Sequence, residues 1–188
     1  MDVSKRIQYS LEKHQTLKPK YNHAMNMFIL DNCAIKSAKL NCDTHTSKII
    51  LEIAQMMCIP YHLKGIDNVP YKICHINHPV SKWVRATYEN FSWASNHAYN
   101  LYFEKLYRTG VGHKSIEVVK WATTNIDMLN LPRTGLTKFA IAINENSLCR
   151  KDSTFDESDP VKCYQLYYKY DKKDIAKWTK RDIPEFML

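Results

Sequence analysis

Four side chains between residues 43 and 55 have the types and spacing of a small acid–base centre. Asp43 is a suitable helix N-cap, and His45, Lys48 and Glu52 follow at intervals that place them on one stripe of a helix. A lysine paired with a carboxylate one turn on, beside an imidazole, has the parts for proton transfer or amine chemistry. His45, Lys48 and Glu52 are therefore expected to be catalytic. Asp43 is expected among the substrate contacts, because a helix N-terminus favours an anion such as phosphate. The competing reading is a solvated helix face with an ordinary Lys–Glu pair.

A second group follows at His75, Asn77, His78, Trp83 and Arg85. His78, just before Pro79, is expected as a further acid–base imidazole. His75, Asn77, Trp83 and Arg85 are expected as substrate contacts, with Arg85 forking onto phosphate and Trp83 offering a ring to stack on a base. Tryptophans at helical spacing also serve as plain core, and that alternative stays open. Cys42, His45, His75 and His78 are residue types that zinc accepts, but about thirty residues separate the two arms and no zinc pattern fits. No metal ligand is assigned. Gly110 and Gly112 make a lone G-x-G, and neither a P-loop nor a dinucleotide fingerprint is present. The sequence names no cofactor.

The elements that must position these groups are helical. Asp43 opens a helix with Ile49, Ile50, Ile53, Ala54 and Met57 on one side, expected to stop before Pro60. A shorter helix is expected over 32–41. From Pro79 to about residue 108 the chain contains almost no breaker, which predicts one long helix or two abutting ones. Gly110 and Gly112 end that stretch. Another helix is expected from His113 to about Leu129, and Asp159-Pro160 opens a last one to about Lys180. Tyr164, Tyr167 and Tyr168 fit an inward face of that last helix. The apolar run 26–30 has the length of a buried strand, and 139–143 is a candidate second extended piece. Residues 1–24 read as a basic arm, helical over Ser4–Leu17, ahead of one domain at 25–188. The fold class is thus mostly α, a single compact helical domain with a short β element.

The 188 residues carry 27 Lys and Arg against 19 Asp and Glu, a net charge of +8. That balance favours an anionic partner, with nucleotide or nucleic acid first. No apolar run is long enough to cross a membrane. The N-terminal stretch lacks the apolar core of a secretory signal, and the 6 cysteines include no C-x-x-C pair. A reduced, cytoplasmic protein is expected.

From Met25 onward the chain resembles a small family of uncharacterised bacteriophage proteins. The resemblance rests on the Met-Asn-apolar run from Met25 to Asp31, the Cys-Asp-x-His-x-x-Lys pattern at Cys42–Lys48 with Glu52 and Gln55 after it, Asn77-His78-Pro79 with Trp83 and Arg85, and Tyr167-Tyr168 with Trp178-x-x-Arg181. Residues 1–24 and the stretch between Thr44 and Ser47 depart from the pattern, while His45 and Lys48 keep their places. The resemblance implies a viral setting, in the cytoplasm of an infected host cell, and no particular reaction. Together with the residues above, the expected function is an enzyme acting on a nucleotide or a DNA base, by base excision or modification in a His/Lys/Glu/Arg cleft. A non-catalytic viral protein that binds nucleic acid or a host factor is the alternative.

Overall fold

The computed structural model describes residues 25–188, and all regular structure among them is helical. The helices are α1 (Ala34–Leu40), α2 (Asp43–Leu63), α3 (Pro79–Val84), α4 (Tyr88–Thr109), α5 (Ile116–Thr124) and α6 (Pro160–Tyr167). The expected arm and its helix lie outside the described residues. No described helix is long and apolar enough to cross a membrane.

The long helix α2 is the centre of the domain. It packs against α4, α5 and α3, while α1 lies on α4. Ile49, Ile50, Ile53, Ala54, Met56 and Met57 are all fully buried, each large one contributing roughly 1.5–3 kcal/mol by leaving water. The helix does not stop at Pro60 as expected but runs on to Leu63. Proline removes only its own amide donor, and here one turn of helix remains. The buried Tyr61, whose hydroxyl donates to the Ala122 carbonyl, holds that turn, and Gly65 at φ 73° follows.

Residues 25–30 are buried but belong to no strand or ladder. Their backbone groups are met by side chains instead. Glu52 accepts from the Asn26 amide at 2.8 Å, Ser37 Oγ from the Leu30 amide at 3.0 Å, and Asn41 donates to the Phe28 carbonyl at 3.4 Å. The expected strand is therefore an irregular segment sewn in by polar side chains. Residues 139–143 likewise form no strand: Asn26 Nδ2 donates to the Ala142 carbonyl and the Tyr164 hydroxyl accepts from the Ala142 amide.

The breaker-poor stretch after Pro79 is two helices. Thr87 caps the second, accepting from the Asn90 amide at 3.1 Å. The helix expected from His113 begins at Ile116, and beyond Thr124 it gives way to a 3-10 turn over Ile126–Leu129. Asp159 and Pro160 open α6 as expected, with Asp159 accepting from the Lys162 amide. That helix ends far short of Lys180. A π-helical turn over Tyr168–Lys172 follows, carrying Asp171 to the Leu148 and Cys149 amides. The tail then leaves the helical path because α1, α2 and α4 offer it better partners: Trp178 Nε1 donates to the Leu40 carbonyl, Asp43 accepts from Thr179, and Arg181 reaches Glu104 at 2.7 Å.

Candidate active site

The four groups of the α2 stripe have different surroundings. Asp43, half-buried, spends both carboxylate oxygens on structure. It accepts from Arg108 Nη1 at 3.1 Å and from the Thr179 amide and hydroxyl. Burial opposes its charge, but the Thr179 and Arg108 hydrogen bonds outweigh this and hold its pKa below the usual value. Its expected role as a substrate contact is corrected accordingly: Asp43 pins the C-terminal tail to the start of α2.

His45 is 3% exposed and lies against Phe28, ring centroids 4.4 Å apart. Its Nδ1 makes a short hydrogen bond with the Tyr168 hydroxyl. Burial pushes its pKa down to about 3, with the charges of Lys172 and Lys48 adding to the shift. A group so far from its ordinary range is a neutral imidazole at pH 7, which corrects the expectation of His45 as a proton-exchanging acid–base.

Lys48 and Glu52 form the predicted pair, 3.5 Å apart, with the lysine side chain 43% exposed and the carboxylate 8%. The lysine thus faces outward while the carboxylate is buried and braced by the Asn26 amide. That asymmetry suits a fixed proton acceptor beside a movable cation.

The second group is held through two neighbouring carbonyls. Arg85 reaches back along α3 and donates from Nη2 to the Ile76 carbonyl at 2.8 Å. The His78 amide closes the turn onto the His75 carbonyl at 3.0 Å. His75, at φ 47°, and Asn77 are exposed, whereas His78 and Arg85 are half-buried. Two polar atoms in this cluster are buried without a hydrogen-bond partner: Arg85 Nη1 and His78 Nδ1. Burial lowers the pKa of both side chains, and His75 adds to the shift at His78. A buried guanidinium donor with nothing to donate to costs free energy, so such a group is expected to have a ligand.

Trp83 does not belong to this cluster. It is 5% exposed and packs against Trp93 and Phe139 at 6.0 and 5.2 Å between ring centroids. Its ring faces are used up in the core, so the base-stacking role is corrected. Nor does a zinc set assemble: no three His, Cys, Asp or Glu side chains among the described residues converge on a shared metal position.

The structure pairs Lys48 with Glu52 on α2 and places His75 and His78 on the turn before α3, with Arg85 at the far end of that helix reaching back to Ile76; α2 and α3 pack on one another. Sequence reasoning missed Tyr168, which bonds His45, Asn41, which bonds that tyrosine, and Lys172, whose charge acts on the ring. Tyr168 was legible as an inward-facing residue, but nothing in its spacing connected it to a histidine more than a hundred positions away. Compared with known protein families, curated proteins and solved structures, the chain matches none, so its chemistry rests on this geometry.

Proposed function

We propose that this protein is an enzyme of bacteriophage type acting on a nucleotide or a DNA base. The observation that carries the reading is the buried Arg85 Nη1 without a hydrogen-bond partner, with His78 Nδ1, at the start of the same short helix, likewise unpaired. A guanidinium with one nitrogen anchored on a carbonyl and the next one open is pre-organised to grip an oxyanion. Phosphate is the anion in keeping with a chain of net charge +8. In this reading Arg85 and His78 hold the phosphate, with His75 and Asn77 on the exposed turn as outer contacts. Glu52 accepts the proton that the reaction moves and Lys48 steadies the charge that results. The reaction class is excision or modification of the base.

The excess of positive charge also favours a second reading, in which the same surface binds nucleic acid without turnover. That reading predicts steep salt dependence and no free base or altered nucleotide.

Calorimetric titration with the four deoxynucleoside monophosphates and a short single-stranded oligonucleotide tests the proposal. Wild type is expected to bind, and Arg85→Ala to bind about tenfold or more weakly with an unchanged melting temperature. Equal affinity of wild type and a folded Arg85→Ala overturns the assignment.

A further inference from the structure

The surroundings of His45 determine where its proton sits. Asn41 Nδ2 donates to the Ser37 carbonyl at 2.8 Å and to the Phe28 carbonyl at 3.4 Å, which fixes the orientation of the amide. Its Oδ1 is then the atom that faces Tyr168, and it accepts from the Tyr168 hydroxyl at 2.9 Å. The one hydroxyl proton of Tyr168 is spent on that bond, so toward His45 the tyrosine oxygen can only accept. Nδ1 of His45 must therefore carry the hydrogen. In a neutral imidazole this leaves Nε2 with a bare lone pair. Nε2 makes no hydrogen bond with any described residue.

Two cations act on this ring, Lys48 from its own helix and Lys172 from the π-helical turn. Lys172 also stands 4.8 Å from the ring of Tyr167. The site thus combines one uncharged acceptor nitrogen with two positive charges, which calls for a ligand offering both a donor hydrogen and a negative group.

We propose that Asn41 and Tyr168 are positioning residues that lock His45 as its Nδ1–H form, so that Nε2 accepts a hydrogen bond from an N–H group on the base of the nucleotide whose phosphate Arg85 and His78 hold, with Lys48 and Lys172 adding positive charge around it. This rests on the nucleotide reading above and adds to it a base-recognition atom, a third cation and the relay that sets both. The Tyr168 hydroxyl acts through His45 and touches no ligand itself.

Nitrogen-15 NMR of the histidine rings tests this, with His45→Gln identifying the signals. In the wild type at pH 7, Nδ1 of His45 is expected to be pyrrole-type and Nε2 pyridine-type. The reverse pattern overturns the lock, even if nucleotides bind. In Tyr168→Phe the two signals are expected to move toward each other as the forms mix, and an unchanged spectrum in that folded variant also overturns it. Should Tyr168→Phe fail to fold, the wild-type pattern decides. Titration with deoxyadenosine monophosphate, which carries an exocyclic amine, is expected to shift Nε2 and leave Nδ1 in place. Binding without a shift at Nε2 refutes the acceptor role while leaving the phosphate site at Arg85 intact. Absence of binding by all four deoxynucleoside monophosphates and by the single-stranded oligonucleotide overturns the enzyme reading and the acceptor role with it, whatever form the ring takes.

Discussion

Glu104 Oε2 and the Arg108 guanidinium, one turn apart near the end of α4, meet at 3.1 Å inside the protein. The Arg108 side chain is fully buried and is met on every side: Glu104, Asp43, and the carbonyls of Lys39 and Asn41 all accept from it. Glu104 also takes Arg181. Burial opposes the charge on Glu104, but Arg181 and Arg108 together hold its pKa below the usual value. One cluster of charges thereby joins the end of α1, the start of α2, the end of α4 and the C-terminal tail.

Removing Arg108 leaves two carboxylates and two carbonyls facing a void. Breaking a buried pair from one side costs about 3–5 kcal/mol. Arg108→Met is expected to lower the free energy of unfolding in urea by that amount. A loss below about 1 kcal/mol contradicts the reading of Arg108 as the keystone of this junction.

Two buried histidines make stability depend on pH. Burial together with Lys172 and Lys48 holds His45 at about 3. Burial holds His97 at about 4, against the opposing hydrogen bond to the Ala34 carbonyl. In the unfolded chain both take up a proton near pH 6.5. Below that pH the unfolded state binds protons that the native state refuses, so stability falls as pH falls from 6.5 toward 4. Each histidine contributes a slope of about 1.4 kcal/mol per pH unit within that window. Urea titrations at pH 7, 6 and 5 measure it, and His45→Gln is expected to remove about half. Asp43 and Glu104, whose pKa values are lowered, add their losses at still lower pH. Equal stability at pH 7 and 5 contradicts the burial of two neutral imidazoles.

The helices were largely legible because they are written in local signals: Pro79 and Pro160 at first-turn positions, Asp159 capping α6, and Gly110 at φ 74° closing α4, whereas Asp43, expected as the N-cap of α2, is its first helical residue and makes no capping bond. What local signals could not supply were the partners met at long range. Residues 25–30 look like a strand, and only Glu52, Ser37 and Asn41 reveal that side chains replace its ladder. Asp43 reads as a ligand contact until Arg108 and Thr179 claim it. Trp83 and Arg85 are two positions apart, yet one is core and the other keeps an unpaired donor, a distinction set by Trp93 and Phe139 rather than by spacing.

Asn90 ties the segment around Thr137 to the end of α3. Its Nδ2 donates to the Trp83 carbonyl and to Thr137 Oγ1, and its Oδ1 accepts from the Thr137 amide. Asn90→Ala leaves those buried groups unpaired and is expected to cost about 2–4 kcal/mol, counting roughly 1–3 for each orphaned group with some relaxation. Tryptophan emission is expected to shift to the red as water reaches Trp83 and Trp93. An unchanged spectrum and stability contradict this role.

Glu52 offers a test that separates folding from chemistry. Glu52→Gln keeps one oxygen to accept from the Asn26 amide, so stability is expected to change by about 1 kcal/mol. Loss of the proton acceptor is expected to slow release or alteration of a base by about 10²–10⁴-fold, followed by chromatography of the products. Full activity in Glu52→Gln contradicts its assignment.

The central claim is that α2 and the turn leading into α3 serve one nucleotide. Backbone amide NMR of the labelled protein during titration with a deoxynucleoside monophosphate tests it most directly. The account predicts that the signals which move cluster in two stretches, residues 45–52 and 75–85. Movement confined to other parts of the chain, or none at saturating nucleotide, contradicts it.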